Sequence, residues 1–292
     1  MIHRITYAIK DNDIVHVSEV ESGLACGCVC PACKEPLIAK KGEIKMHHFA
    51  HQSGAECELG YITTLHYAAK EILSKTKVFV IPDVLIKFTS NKEPLKLNKT
   101  NKVVVNNVEL VYSPESRIPD IVIESQEKKL YVIFSFSNSK DLHYKNRFEI
   151  EKKSAIEIDI SSWKTLIDKD DLTEIITSDA CIKHWIYNDA AQIKREKIFE
   201  YAKSLKVCKI GFKDYRIYDC PLKIRFDGER TFAFEDDCEN CQFCVGYNFL
   251  RSDFSYCTCE NLVSDLEDIN ISYEQRKKKY EYYYSLFIER FF

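Results

Sequence analysis

Three consecutive runs decide the fold class: Leu130-Tyr-Val-Ile-Phe-Ser-Phe136, then Asp141-Leu-His-Tyr-Lys-Asn-Arg-Phe-Glu-Ile-Glu-Lys152, then Ala155-Ile-Glu-Ile-Asp-Ile160. The outer two are rich in β-branched and aromatic residues and read as strands; the charged middle run, free of glycine and proline, reads as a helix. A strand, a helix and a further strand in that order form a βαβ unit, which requires an at least partly parallel sheet. Upstream, Lys77–Ile81, Val84–Phe88, Val103–Val111 and Ile118–Ile123 add strand-like runs, punctuated by turn-formers at Ser90-Asn-Lys-Glu-Pro94 and Asn106-Asn107. Before them, Ile62, Leu65, Ala69, Ile72 and Leu73 recur at helical spacing over 58–74. His66 and Lys70, four apart, share one face of that helix. The class is α/β.

The chain has 292 residues, 42 Lys and Arg against 45 Asp and Glu, and is 45% hydrophobic. That composition excludes disorder as the main state, and a net charge of −3 advertises no bulk affinity for polyanions. The apolar runs fall far short of the ~20 residues needed to cross a bilayer, so no membrane partner is expected. Met1-Ile-His-Arg-Ile-Thr-Tyr7 lacks the pattern of a secretory leader, which makes a reducing cytoplasm the expected location. Disulfides then explain the 13 cysteines poorly.

The cysteines fall in two clusters, over 26–57 and 208–259, with Cys181 between them. Thiols bunched in a reducing compartment point to structural zinc at one or two sites. In the first cluster, Cys30-Pro-Ala-Cys33 can grip one face of a tetrahedral ion. The remaining two ligands come from His48, His51 and Cys57, presented by a hairpin, and Cys26 and Cys28 are packing residues or alternates. In the second, Cys238-Glu-Asn-Cys241 is the best-placed pair, completed by Cys220 and Cys257. So short a cysteine-rich segment needs a staple to hold a core. Separately, Arg117-Ile-Pro-Asp120 opens an apolar strand with a carboxylate, a placement that suits either a divalent cation at a sheet edge or a turn cap.

The run from Gly23 through Cys28-Val-Cys-Pro-Ala-Cys33 to Lys41-Gly-Glu-Ile44, then His47-His-Phe-Ala-His51 to Cys57, then Leu65-His-Tyr-Ala-Ala-Lys-Glu-Ile-Leu73, resembles the competence protein CoiA-like family. Later islands are Arg117–Ile123, Asp141–Lys145, Ala155–Ser161, Trp185–Asn188 and Cys220-Pro-Leu222. The resemblance implies a zinc ribbon over 1–57 and a restriction-endonuclease-like PD-(D/E)XK core over 58–165, a mixed sheet with flanking helices. A helical linker over 166–206, a cysteine-rich zinc module over 207–262 and a C-terminal helix over 263–292 complete the expected organisation.

In such a nuclease, Mg²⁺ is held by the Asp of the Pro-Asp motif and a Glu on the next strand, while a Lys or Gln two positions on orients the attacking water. Asp120 fills the first role, and His66 or Lys70 would contact the phosphate. Ile133 stands where the Glu belongs, Ser135 where the Lys or Gln belongs, and Ile62 at another position that tends to be acidic. Glu58, Glu124, Glu157 and Asp159 are the candidate substitute acids. Three functions follow: a CoiA-like zinc protein of DNA processing or defence with a degenerate nuclease centre, an active Mg-dependent nuclease using a migrated acid, or a protein-interaction scaffold. The expected partner is nucleic acid, DNA above all, or a protein. Arg276-Lys-Lys-Lys279 offers phosphate contacts, and Tyr282–Phe292 reads as a packing helix through which copies of the chain could associate.

Overall fold

The computed structural model describes residues 5–44, 46–55, 57, 60–88, 93–98, 102–111, 120–135, 142–159, 169–178, 182–210, 214–217, 220, 232–233, 238, 240–248 and 254–282. The chain divides into two compact units, one of residues 1–83 and 99–189, the other of 84–98 and 190–292.

The first unit opens with two hairpins. Strands β1 (Tyr7–Lys10) and β2 (Asp13–His16) turn through Asp11 and Asn12, both at positive φ, as a two-residue hairpin loop requires. Strands β3 (Leu37–Lys40) and β4 (His48–His51) form the second hairpin, with Leu37 opposite His51. Between them, Val29 bridges both Ile9 and Pro36, and Ile5, Ala8, Val17, Leu37 and Phe49 close a small core in which Cys26, Cys28 and Cys30 are buried. Helix α1 (Gly60–Thr76) follows, burying Leu65, Ala69, Ile72 and Leu73 as their spacing predicts.

Strand β5 (Val78–Val80) comes next. The short β6 (Leu85–Ile86) and β7 (Leu95–Lys96) pair with each other and belong to the second unit. The run expected as one strand over 103–111 breaks at Val105-Asn106 into β8 (Lys102–Val104), which pairs with β5, and β9 (Asn107–Val111). Strand β10 (Asp120–Ser125), strand β11 (Lys128–Ser135), helix α2 (Leu142–Ile150), strand β12 (Ala155–Asp159), helix α3 (Lys169–Thr177) and strand β13 (Lys183–Tyr187) complete the unit.

The main sheet runs β13-β12-β11-β10-β9. Only β11 and β12 are parallel, joined across α2, so the expected βαβ unit is present in a mixed sheet. The segment read as a helical linker contributes β13, whose Trp185-Ile-Tyr187 suits a strand and closes the open edge of β12. Lys183 is fully buried there, its Nζ donating to the carbonyls of Val80 (2.7 Å) and Ile176 (3.0 Å) and lying over the Phe79 ring.

The second unit starts with α4 (Asp189–Phe199), then β14 (Lys203–Ile210), β15 (Asp214–Ile217), β16 (Phe232–Ala233), β17 (Cys244–Asn248) and β18 (Phe254–Cys257), an antiparallel sheet in the order β16-β15-β14-β18-β17. Leu205, Val207, Ile217, Phe243 and Leu262 form its core together with Cys238, Cys244, Cys257 and Cys259. Helix α5 (Tyr273–Lys279) is capped by Ser272 and Gln275. Behind it the buried Asp268 carboxylate accepts from the N–H groups of Ser264 and Asp265, the Tyr280 hydroxyl and Lys279 Nζ. Three members of the basic run are engaged inside the unit: Arg276 is buried on the Asp268 carbonyl, Lys277 pairs with Glu274, and Lys279 bonds Asp265 and Asp268. The helix expected over Tyr282–Phe292 lies, beyond Tyr282, outside the described residues. No helix among the described residues is long and apolar enough to cross a membrane.

Candidate metal centre

Cys30-Pro-Ala-Cys33 forms a tight turn, with the Lys34 N–H on the Cys30 carbonyl and Lys34 itself at φ +63°. Two backbone N–H groups of that turn, from Cys33 and Ala32, point at the Cys30 sulfur. The β3–β4 hairpin returns His51 to the same place, and Cys57 arrives just before α1, its carbonyl accepting the Gly60 N–H at 2.9 Å. As a result the donor atoms of Cys30, Cys33, His51 and Cys57 all lie within 4.8 Å of one another. Cys33 Sγ and His51 Nε2 are 3.2 Å apart. Zinc bonds of about 2.3 Å to sulfur and about 2.0 Å to nitrogen set tetrahedral ligand atoms roughly 3.6 Å apart, so the quartet fits that ion.

Burial pushes the Cys30 thiol up to about 12, against the pull of the two N–H donors. A bound dication reverses that preference, since only the thiolate ligates, and each thiol gives up its proton on binding. An ion held here cross-links the turn, the hairpin and the start of α1, which a core this small needs.

His48 stands outside the quartet. It lies three residues from His51 on β4, and an odd separation puts the two side chains on opposite faces of the strand. Its Nδ1 is 2.9 Å from the Met46 carbonyl oxygen. Cys26 and Cys28 prove to be packing residues, their thiols donating to the carbonyls of Leu37 and Cys26.

The carboxylates of the central sheet form a second arrangement. Ile133 pairs with Glu157 and Glu157 with His184, while the antiparallel β10–β11 register, Ile121 opposite Val132, carries Asp120 to the place beside Ile133. Asp120, Ile133, Glu157 and His184 are thus one transverse row on one face of the sheet. Helix α2 covers that face: Phe148 packs on Ile133 and Ala155, and Arg147 forms a buried ion pair with Asp120. Arg147 and His184 escaped the sequence reading because only the packing of α2 brings Arg147 to Asp120 and only the register of β13 places His184 in the row.

His66 faces the other way. Its Nε2 accepts the Phe134 N–H at 3.3 Å and its ring meets Phe134 edge-on, whereas Phe134 and Ile133 point to opposite faces of β11. The sheet therefore separates α1, with His66 and Lys70, from Asp120. Among the candidate acids, Glu124 is at the far end of β10, paired with Lys129 at 3.3 Å, and Asp159 lies beside Ser135, one step along from Glu157. Glu58 lies outside the described residues.

Among the described residues, the place beside Asp120 on the next strand is taken by Ile133, and the Arg147 guanidinium pairs with the Asp120 carboxylate.

Residues 18–60 match a family model described as Competence protein CoiA, N-terminal domain. No curated protein and no solved structure matches the chain significantly. Cys30, Cys33, His51 and Cys57 all lie inside the matched span, so the segment similar to the CoiA N-terminal domain is the one that forms this metal-ready centre.

Proposed function

We propose that this chain is a CoiA-like zinc protein of DNA processing or defence whose restriction-endonuclease-like core has lost its metal centre and engages its target without cutting it. The observation that carries this reading is the buried pair of Arg147 and Asp120. A guanidinium on the carboxylate supplies the positive charge that a divalent cation would otherwise bring, and it cannot polarise a water as a metal does. Ile133 in the adjacent place removes the second carboxylate, and His66 is committed to a backbone hydrogen bond on the opposite face. The zinc of the N-terminal quartet is structural in this reading, with four protein ligands and no open position. The engagement of Arg276, Lys277 and Lys279 within their own unit argues against that run as the main phosphate contact.

A second reading, an active nuclease, draws on Glu157, which shares the row with Asp120 at two strand spacings, about 9.6 Å between backbones. Incubating the full chain with single- and double-stranded DNA and RNA in Mg²⁺ or Mn²⁺ separates the two. The first reading predicts salt-sensitive binding of one of these polymers with no cleavage. Cleavage lost in both Asp120→Ala and Glu157→Ala would establish the second. Neither binding nor cleavage, with a stable protein complex instead, would make the chain an interaction scaffold.

A further inference from the structure

Six thiols sit in or against the core of the second unit, and none belongs to the centre described above: Cys238, Cys244, Cys257 and Cys259 are buried, and Cys220 and Cys241 pack on them. Their arrangement repeats the distinguishing feature of the N-terminal quartet. The sulfur of Cys241 receives hydrogen bonds from the N–H groups two and three positions on, those of Phe243 and Cys244, just as Cys30 receives them from Ala32 and Cys33. The turn is wound by Cys241 N–H to Cys238 carbonyl (3.1 Å) and Cys244 N–H to Cys241 carbonyl (2.9 Å). Backbone donors aimed at a sulfur favour the thiolate, which is the form that ligates.

The other thiols converge on the same place. Cys257 lies opposite Cys244 across the β17–β18 ladder. Its thiol is hydrogen-bonded to those of Cys244 and Cys259, and Cys259 in turn to that of Cys220. Cys241 is close enough to both Cys257 and Cys220 for their charges to act on it. Among the described residues, no carboxylate or imidazole takes part in these contacts, and an all-sulfur donor set selects zinc or another thiophilic ion over Mg²⁺ or Ca²⁺.

We propose that Cys220, Cys241, Cys257 and Cys259 hold a second zinc ion through four thiolates. Compared with the pairing read from the sequence, Cys259 takes the place of Cys238. Cys257, Cys259 and Cys220 form a hydrogen-bonded chain with Cys241 beside it, and the four sulfurs are not gathered as closely as the N-terminal quartet. Binding draws them together and releases their protons to solvent, so the ion completes the site and the fold of this unit together. Plain core packing of neutral thiols is the rival account, and it predicts no metal.

The test is the zinc content of the full chain, purified under reducing conditions, with X-ray absorption at the zinc edge. The proposal predicts two zinc ions per chain and an average of more than three sulfurs per zinc. Cys241→Ser and Cys257→Ser should each lower the content to one, whereas Cys33→Ser should leave the all-sulfur ion in place. One zinc per chain with three sulfurs and one nitrogen would overturn it, as would two zinc ions retained in the Cys241→Ser, Cys257→Ser double variant. Should the cysteine variants fail to fold, the absorption measurement on the unaltered chain decides by itself.

Discussion

Replacing Arg147 with methionine removes the positive partner of Asp120 and keeps most of the stem that packs beside Phe148. The two side chains are 11% and 4% exposed, so the carboxylate is left with little solvent to compensate. Breaking a buried pair from one side costs about 3–5 kcal/mol, whereas replacing both partners by apolar residues is often neutral. We expect Arg147→Met to destabilise the first unit by about 3 kcal/mol, a large share of a typical domain stability of roughly 5–15 kcal/mol. The double variant Arg147→Met, Asp120→Leu should recover most of the loss, which makes the pair strongly non-additive. Urea unfolding, followed by fluorescence and circular dichroism, measures all three. A loss below about 0.5 kcal/mol in Arg147→Met, or a double variant no more stable than the sum of the singles, would refute the view that this ion pair organises the row.

Other perturbations reach the remaining parts of the account. A Cβ on Gly60 would lie 2.9 Å from Ile5 Cδ1 and 3.2 Å from Cys57 Sγ, so Gly60→Ala should displace Cys57 and weaken zinc retention in competition with a chelator. An affinity equal to that of the unaltered chain would contradict it. Lys183→Met leaves the buried carbonyls of Val80 and Ile176 without this donor and should cost about 2 kcal/mol in the same unfolding experiment. Asp268 should tie stability to pH. Burial opposes its ionisation, but Lys279, the Asp265 and Ser264 N–H groups and the Tyr280 hydroxyl outweigh burial and hold its pKa low. A carboxyl lowered by folding contributes stability above its unfolded value of about 3.9, lost as pH falls through the lower folded value. Asp268→Ala should therefore cost about 3 kcal/mol at neutral pH, and the gap to the unaltered chain should narrow below about pH 4. A gap independent of pH would count against the network.

Much of this was legible in the sequence wherever the signal was local. The strand-like runs Leu130–Phe136 and Ala155–Ile160 and the helical spacing over 58–74 correspond to β11, β12 and α1, and the Cys-Pro-Ala-Cys turn became half of the metal-ready quartet. Choosing among His48, His51 and Cys57 needed the β3–β4 register, which turns His48 away from the quartet. The row of Asp120, Ile133, Glu157 and His184 is set by the registers of three strand pairings, two of them between strands separated by a helix, and Arg147 joins it only because α2 packs over that face. His66 and Lys70 looked compatible with Asp120 because spacing along a helix does not reveal which side of a sheet the helix covers. Likewise Arg276–Lys279 read as a run open to phosphate, since nothing local announced that Asp265 and Asp268 fold back onto it.

The absence of a working divalent-metal site at Asp120 is the centre of the functional account, and Mn²⁺ binding to the full chain, followed by electron paramagnetic resonance, tests it most directly. The account predicts the same titration for the unaltered chain, Asp120→Ala and Glu157→Ala. A bound Mn²⁺ that disappears in both variants would contradict it and establish the row as a metal centre.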